Sequence, residues 1–142
     1  MGHFFILLIG AFFMSHSLYA KDIQVEIHNV DTKKRGEILV MLFEKNGFPK
    51  NHLAALKIHI LRPDSCILST TFTLVPDEYA IKVLHDEDKS GTVTKNWTGI
   101  FPAEGLGFSN GAKLRFGPPN FDDAKLTLTG ETKPLVIELI YP

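Results

Sequence analysis

Between Asp86 and Trp97 the chain reads DEDKSGTVTKNW, with oxygen-bearing residues at alternate positions. Counting from Asp86, Asp88 is third, Ser90 fifth, Gly91 sixth, Thr92 seventh and Thr94 ninth. This order matches the first nine places of a D-x-D-x-S-G calcium loop. Alternate residues of a tightly curled loop point inward, so oxygens from Asp86, Asp88 and Ser90 can converge. Gly91 permits the bend, the Thr92 carbonyl adds a ligand, and Val93 pins the loop to the core. The twelfth place should hold a bidentate carboxylate but holds Trp97. The residues before Asp86 also alternate as a strand does, which excludes an ordinary EF-hand. The candidate metal set is therefore Asp86, Asp88, Ser90, Thr92, Thr94 and Asn96. Glu104 and Asp122-Asp123 are further sources of the missing ligands. A set this incomplete predicts Ca²⁺ affinity of about 0.1–1 mM, as in extracellular modules. Acidic residues around a glycine also make an ordinary solvated turn, so both readings stand.

The acidic stretch opens a longer one, to Phe121, that is rich in glycine and aromatics and has no sustained helix or strand period. Long connections of this kind are usually functional or disordered, and disordered segments are poor in aromatics. Trp97, Phe101, Phe108, Phe116 and Phe121 can pack down as a satellite core. Alternatively, Trp97, Phe101 and Phe108 form a platform for a carbohydrate or peptide. Burial is the preferred expectation, because clustered aromatics are mostly buried.

Signatures of catalysis are missing. Ser109 lies in Phe-Ser-Asn rather than in a G-x-S-x-G elbow, and there is no H-E-x-x-H. A hydrolase built from His85, Asp86 and Ser109 is the weakest reading, and no enzymatic activity is expected. His85 reads as a strand-end histidine with a hydrogen-bond partner. Cys66 is the single cysteine. Alternation places it on one strand face with Leu68, Thr70, Phe72 and Leu74, as a buried, inert thiol.

These residues must be held by strands. Ile23, Val25 and Ile27 alternate with polar residues, and Asp31–Gly36 reads as a hairpin loop with Lys33-Lys34-Arg35 at its tip. Residues 37–44 are almost wholly apolar and suit a central strand covered on both faces. Further strands are expected at 54–61, 65–75, 79–85, 124–129 and 135–141, with at most one helical turn over 51–56. Seven short strands with turn signals between them predict an all-β chain, a single antiparallel β-sandwich of immunoglobulin-like or transthyretin-like type with one long ordered loop.

The apolar run Phe4–Met14 is too short to span a membrane and reads as the core of a signal peptide over residues 1–20, cut after Ala20 or, alternatively, after Ser17. Export to the periplasm or beyond follows, with residues 21–142 as one domain and no membrane insertion after cleavage. Fifteen Lys and Arg nearly balance 16 Asp and Glu, so no nucleic-acid partner is expected. A cell-envelope carbohydrate or protein is the expected class of partner.

Several blocks carry a family resemblance. They are Gly47-Phe48-Pro49, the segment Tyr79–Asp88, Gly91, Asn96, Gly99-Ile100 and Pro102. Glu104-Gly105, Gly107–Asn110 and Phe116–Ala124 (FGPPNFDDA) complete the set. Together they resemble the bacterial exported family called domain of unknown function 2141, over essentially all of residues 21–142. The resemblance implies an exported β-sandwich with no established activity. Pro76–Val83 is more distantly similar to transthyretin-like and carboxypeptidase-regulatory-like domains, with Asp77-Glu78 replacing their usual turn glycine. Members of the family often carry an acidic residue where this chain has Thr94, which implies weaker cation binding here.

Overall fold

The computed structural model describes residues 22–73, 75–130 and 133–142. The expected signal peptide, residues 1–20, and Leu74 lie outside them. Among the described residues the fold is mostly β, with eight strands in two sheets. Strands β1 (Ile23–His28), β4 (Leu68–Phe72) and β8 (Leu135–Glu138) form the first sheet, in the order β4-β1-β8. The second runs β3 (Lys57–Leu61), β2 (Glu37–Phe43), β5 (Glu78–Asp86), β6 (Leu106–Phe108). A two-residue strand, β7 (Leu126–Thr127), pairs with the start of β5. The sheets meet at one corner, where Leu106 and Ile140 exchange backbone hydrogen bonds.

Hydrophobic pattern explains the layering. Val25 and Ile27 of β1, Val40 and Leu42 of β2, and Ile81 and Val83 of β5 face one another between the sheets. The other face of the second sheet carries Leu39, Met41, Phe43 and Leu84, and it is covered by Phe48 from the connection between β2 and β3 and by Val93 and Ala112 from the long loop. β2 therefore has cores on both sides, which is why its sequence is unbroken apolar from Ile38 to Phe43. Phe48 sits at the centre of this outer layer, edge-on to Phe43, Phe108 and Phe121.

The structure corrects several expectations. The segment 31–36 is not a hairpin loop: β1 and β2 lie in different sheets, so it crosses between them. β1 and β8 run parallel, so the sandwich is not wholly antiparallel. In β3 the alternation is present, but Ile58 and Ile60 face outward while His59 turns inward to stack on Phe72. Register forces this, because Ile58 pairs with Met41 and His59 with Val40, and only Val40 points between the sheets. The expected strand at 124–129 shrinks because Phe121–Ala124 forms a helical turn, closed by a capping box between Asn120 and Asp123. The loop also contains a strand, β6, that is too short to show a period.

Cys66 is exposed, not buried. β4 begins only at Leu68, and Cys66 instead lies in the bend before it, where its carbonyl accepts the Val30 N–H. Its thiol is therefore expected to react with a disulfide reagent at once in the native protein. A reaction that waits for denaturant would contradict this placement.

Candidate functional site

β5 delivers both halves of the site. Its outward residues are Ala80, Lys82, Leu84 and Asp86, and Asp86 is the last residue of the strand. The loop then curls back on the Asp86 carboxylate. Oδ1 accepts the Ser90 N–H at 3.0 Å and Oδ2 accepts the Gly91 N–H at 2.8 Å. Asp88 accepts the same Ser90 N–H at 3.1 Å and the Thr94 hydroxyl. Hydrogen bonds from Thr94 and Ser90 hold the Asp88 carboxyl well below the usual carboxylate range. The third carboxylate is Glu104, in the residues leading into β6. Its Oε1 accepts the Glu87 N–H and its Oε2 the Thr94 N–H, each at 3.0 Å, so it staples both ends of the acidic loop.

Oxygens of Asp86, Asp88 and Glu104 lie within 4.8 Å of one another. Asp86 is 1% exposed and Glu104 3%. Burial pushes the Glu104 carboxyl up, and the neighbouring Asp88 and Asp86 charges add to this. Nearby cations are engaged elsewhere: Lys34 Nζ lies 2.7 Å from Glu87, and Lys89 Nζ 3.5 Å from Glu37. Among the described residues no lysine or arginine forms an ion pair with the three clustered carboxylates. Such a cluster is a hard, all-oxygen donor set of the kind calcium favours.

Beside the loop, on the same face of β5, lies a cavity of about 540 Å³. Phe101, Pro102, Leu106, Phe108 and Phe116 help to line it. Lys82 also lines it, between its strand neighbours Met41 and Phe108. The Lys82 ammonium donates to the Pro49 carbonyl at 2.8 Å and to His52 Nε2 at 2.9 Å. His52 Nδ1 in turn donates to the Gly91 carbonyl at 2.7 Å. Burial, and then the adjacent Lys82 charge, hold His52 below its ordinary pKa. The neutral ring can therefore donate through one nitrogen and accept through the other. A chain of hydrogen bonds thus runs from Asp86 through Gly91 and His52 to Lys82.

The family model described as "Uncharacterized protein conserved in bacteria (DUF2141)" matches residues 25–135. The chain belongs to this family. No curated protein and no solved structure matches it.

In this DUF2141 chain the expected metal set is only partly assembled. Asp86 and Asp88 converge, and Ser90 Oγ lies 3.4 Å from Asp86 Oδ1 while donating to the Thr92 carbonyl. Thr94 is drawn in through Asp88 and Glu104. Asn96 does not join: its side-chain oxygen accepts from the backbone and hydroxyl of Thr98, closing its own turn. Asp122 and Asp123 stay at the helical turn, and of the candidate outside donors it is Glu104 that arrives. The aromatics divide. Phe108 and Phe121 are buried, whereas Phe116 is fully exposed, Trp97 is 95% exposed and Phe101 60% exposed. The preferred expectation of burial fails for these last three, because they lie on the outer rim of the loop.

Lys82 and His52 belong to no catalytic or metal-ligating motif in the sequence. The available signal is a lysine on the outward face of a strand, flanked there by the apolar Ala80 and Leu84. His85 is fully buried, and its two nitrogens are engaged by the Tyr141 hydroxyl at 2.7 Å and the Arg35 carbonyl at 2.9 Å. Ser109 is buried as well, accepting the Ile81 N–H and donating to the Ala124 carbonyl.

Proposed function

We propose that this chain is a non-enzymatic binding module of the bacterial cell envelope whose long loop is organised by a calcium ion. The observation that carries the reading is the convergence of Asp86, Asp88 and Glu104, two of them buried, with no lysine or arginine among the described residues ion-paired to any of the three. A divalent ion there would offset mutual repulsion and fix the two ends of the loop that Glu104 bridges. Export is supported by the apolar run Phe4–Met14 followed by small residues before Lys21. Absence of catalysis is supported by the commitment of both His85 nitrogens and of the Ser109 hydroxyl to structural hydrogen bonds. With that exposure, Trp97 and Phe101 also favour contact with an envelope ligand or protein partner.

Thermal melting during a calcium titration tests the ion. With a dissociation constant below 1 mM, 10 mM calcium should raise Tm by about 5 °C. Asp88→Asn, at an exposed position, still accepts the Ser90 N–H through its oxygen and can donate to the Thr94 hydroxyl through its amide, and it should remove most of that rise. An unchanged Tm in the parent protein would sink the calcium reading.

A further inference from the structure

The cavity beside the loop has an asymmetric lining. Its walls carry Ile100, Phe101, Pro102, Leu106, Phe108 and Phe116. Its charged residues are Lys50, Lys82, Lys95 and Arg115, and no Asp or Glu lines it. In a chain with a formal net charge of −1, four cations and no anion around one apolar space is a strong local bias. Lys82 is the deepest of them at 4% exposed, and two of its three N–H groups are used, by Pro49 and His52. Neither partner is anionic, and among the described residues the ammonium has no carboxylate counterion. A buried cation without a counterion is costly and invites an anionic ligand.

We propose that this cavity binds an amphipathic anion with one acyl chain, its head group on Lys82 and its tail against the phenylalanines. The volume lies within the ordinary range for small-molecule sites. A carbohydrate fits the lining less well. Its hydroxyls need acceptors, and the polar side chains here are cations, Thr92 and a histidine whose acceptor nitrogen already takes a bond from Lys82. The exposed Phe101 and Phe116 at the rim suit an entering hydrocarbon chain. This inference rests on reading the chain as a binding module but not on the calcium ion, so its test is run both in chelator and in calcium.

Isothermal titration of the purified protein with palmitate, lysophosphatidate and neutral dodecyl maltoside is the experiment, each ligand below its micellar concentration. Saturable one-to-one binding of palmitate or lysophosphatidate is expected, at least tenfold tighter than the maltoside. Whichever anion binds tighter assigns the head group as carboxylate or phosphate. Lys82→Met should weaken anion binding about tenfold or more. Phe116→Asp, at a fully exposed position where folding is not at stake, should do the same by placing a negative charge at the mouth. Binding in chelator with no calcium effect on Tm would support the cavity proposal while overturning the ion. Equal affinity for the neutral detergent, no binding of either anion, or anion binding unaffected by both variants would overturn the cavity proposal.

Discussion

Gly36→Ala should lower stability by about 3 kcal/mol or more and shift the urea midpoint accordingly. Gly36 has φ +99°, in the left-handed region that side chains disfavour. Space is a larger obstacle than conformation. A β-carbon there would stand 2.1 Å from the Asp86 carbonyl oxygen and 2.5 Å from the Glu87 Cα. Both neighbours are backbone, so neither can swing aside. Relief requires displacing the end of β5, where the acidic loop begins. The substitution should therefore cost the calcium-induced rise in Tm as well as stability, although residue 36 offers no ligand. An unchanged midpoint would mean that the crossover does not press on the loop in this way.

The second large effect concerns Lys82. Burial lowers its pKa from the usual lysine range to about 8. The unfolded chain holds the proton up to a pKa of about 10.4, so the folded state releases it first. Stability conferred through this residue is therefore lowest below pH 8, rises between about pH 8 and 10.5, and is level above that. The total change is about 3 kcal/mol, at about 1.4 kcal/mol per tenfold. The raised pKa values of Tyr79 and Tyr141 act in the opposite direction near pH 10, so the parent alone does not isolate the effect. Subtracting the Lys82→Met curve does. Wild type minus variant should grow by about 3 kcal/mol from pH 7 to 10.5 in urea melts, and a flat difference would contradict a desolvated Lys82. At pH 7 the ammonium is still the major form. A residue that costs stability in this way, on a strand face that apolar side chains would fill, is most readily understood as serving a ligand.

Much of the scaffold is legible from side-chain patterning. The period of two in 23–28 and the unbroken apolar run in 38–43 specify a half-buried and a doubly covered strand, and both form. Pairing is less legible. Nothing local in 31–36 says whether β2 folds back on β1 or crosses to another sheet, because that choice depends on which distant strands are available. β3 shows the same limit: alternation sets Ile58 and Ile60 opposite His59, but pairing with β2 decides which face turns inward, and it is His59 that does. In the loop, Asp86 and Asp88 converge, as their alternate spacing leads one to expect. Glu104 joins them from 16 residues beyond Asp88, through β6, a strand three residues long. Cys66 is not a buried thiol because β4 starts only at Leu68, so strand alternation does not reach residue 66.

Crystals grown in millimolar calcium provide the most direct test of the central claim. The account predicts an anomalous peak between Asp86, Asp88 and Glu104, with oxygen ligands at about 2.3–2.6 Å. The carboxylates hydrogen-bonded only to backbone and hydroxyl groups, with no ion between them at that concentration, would contradict it.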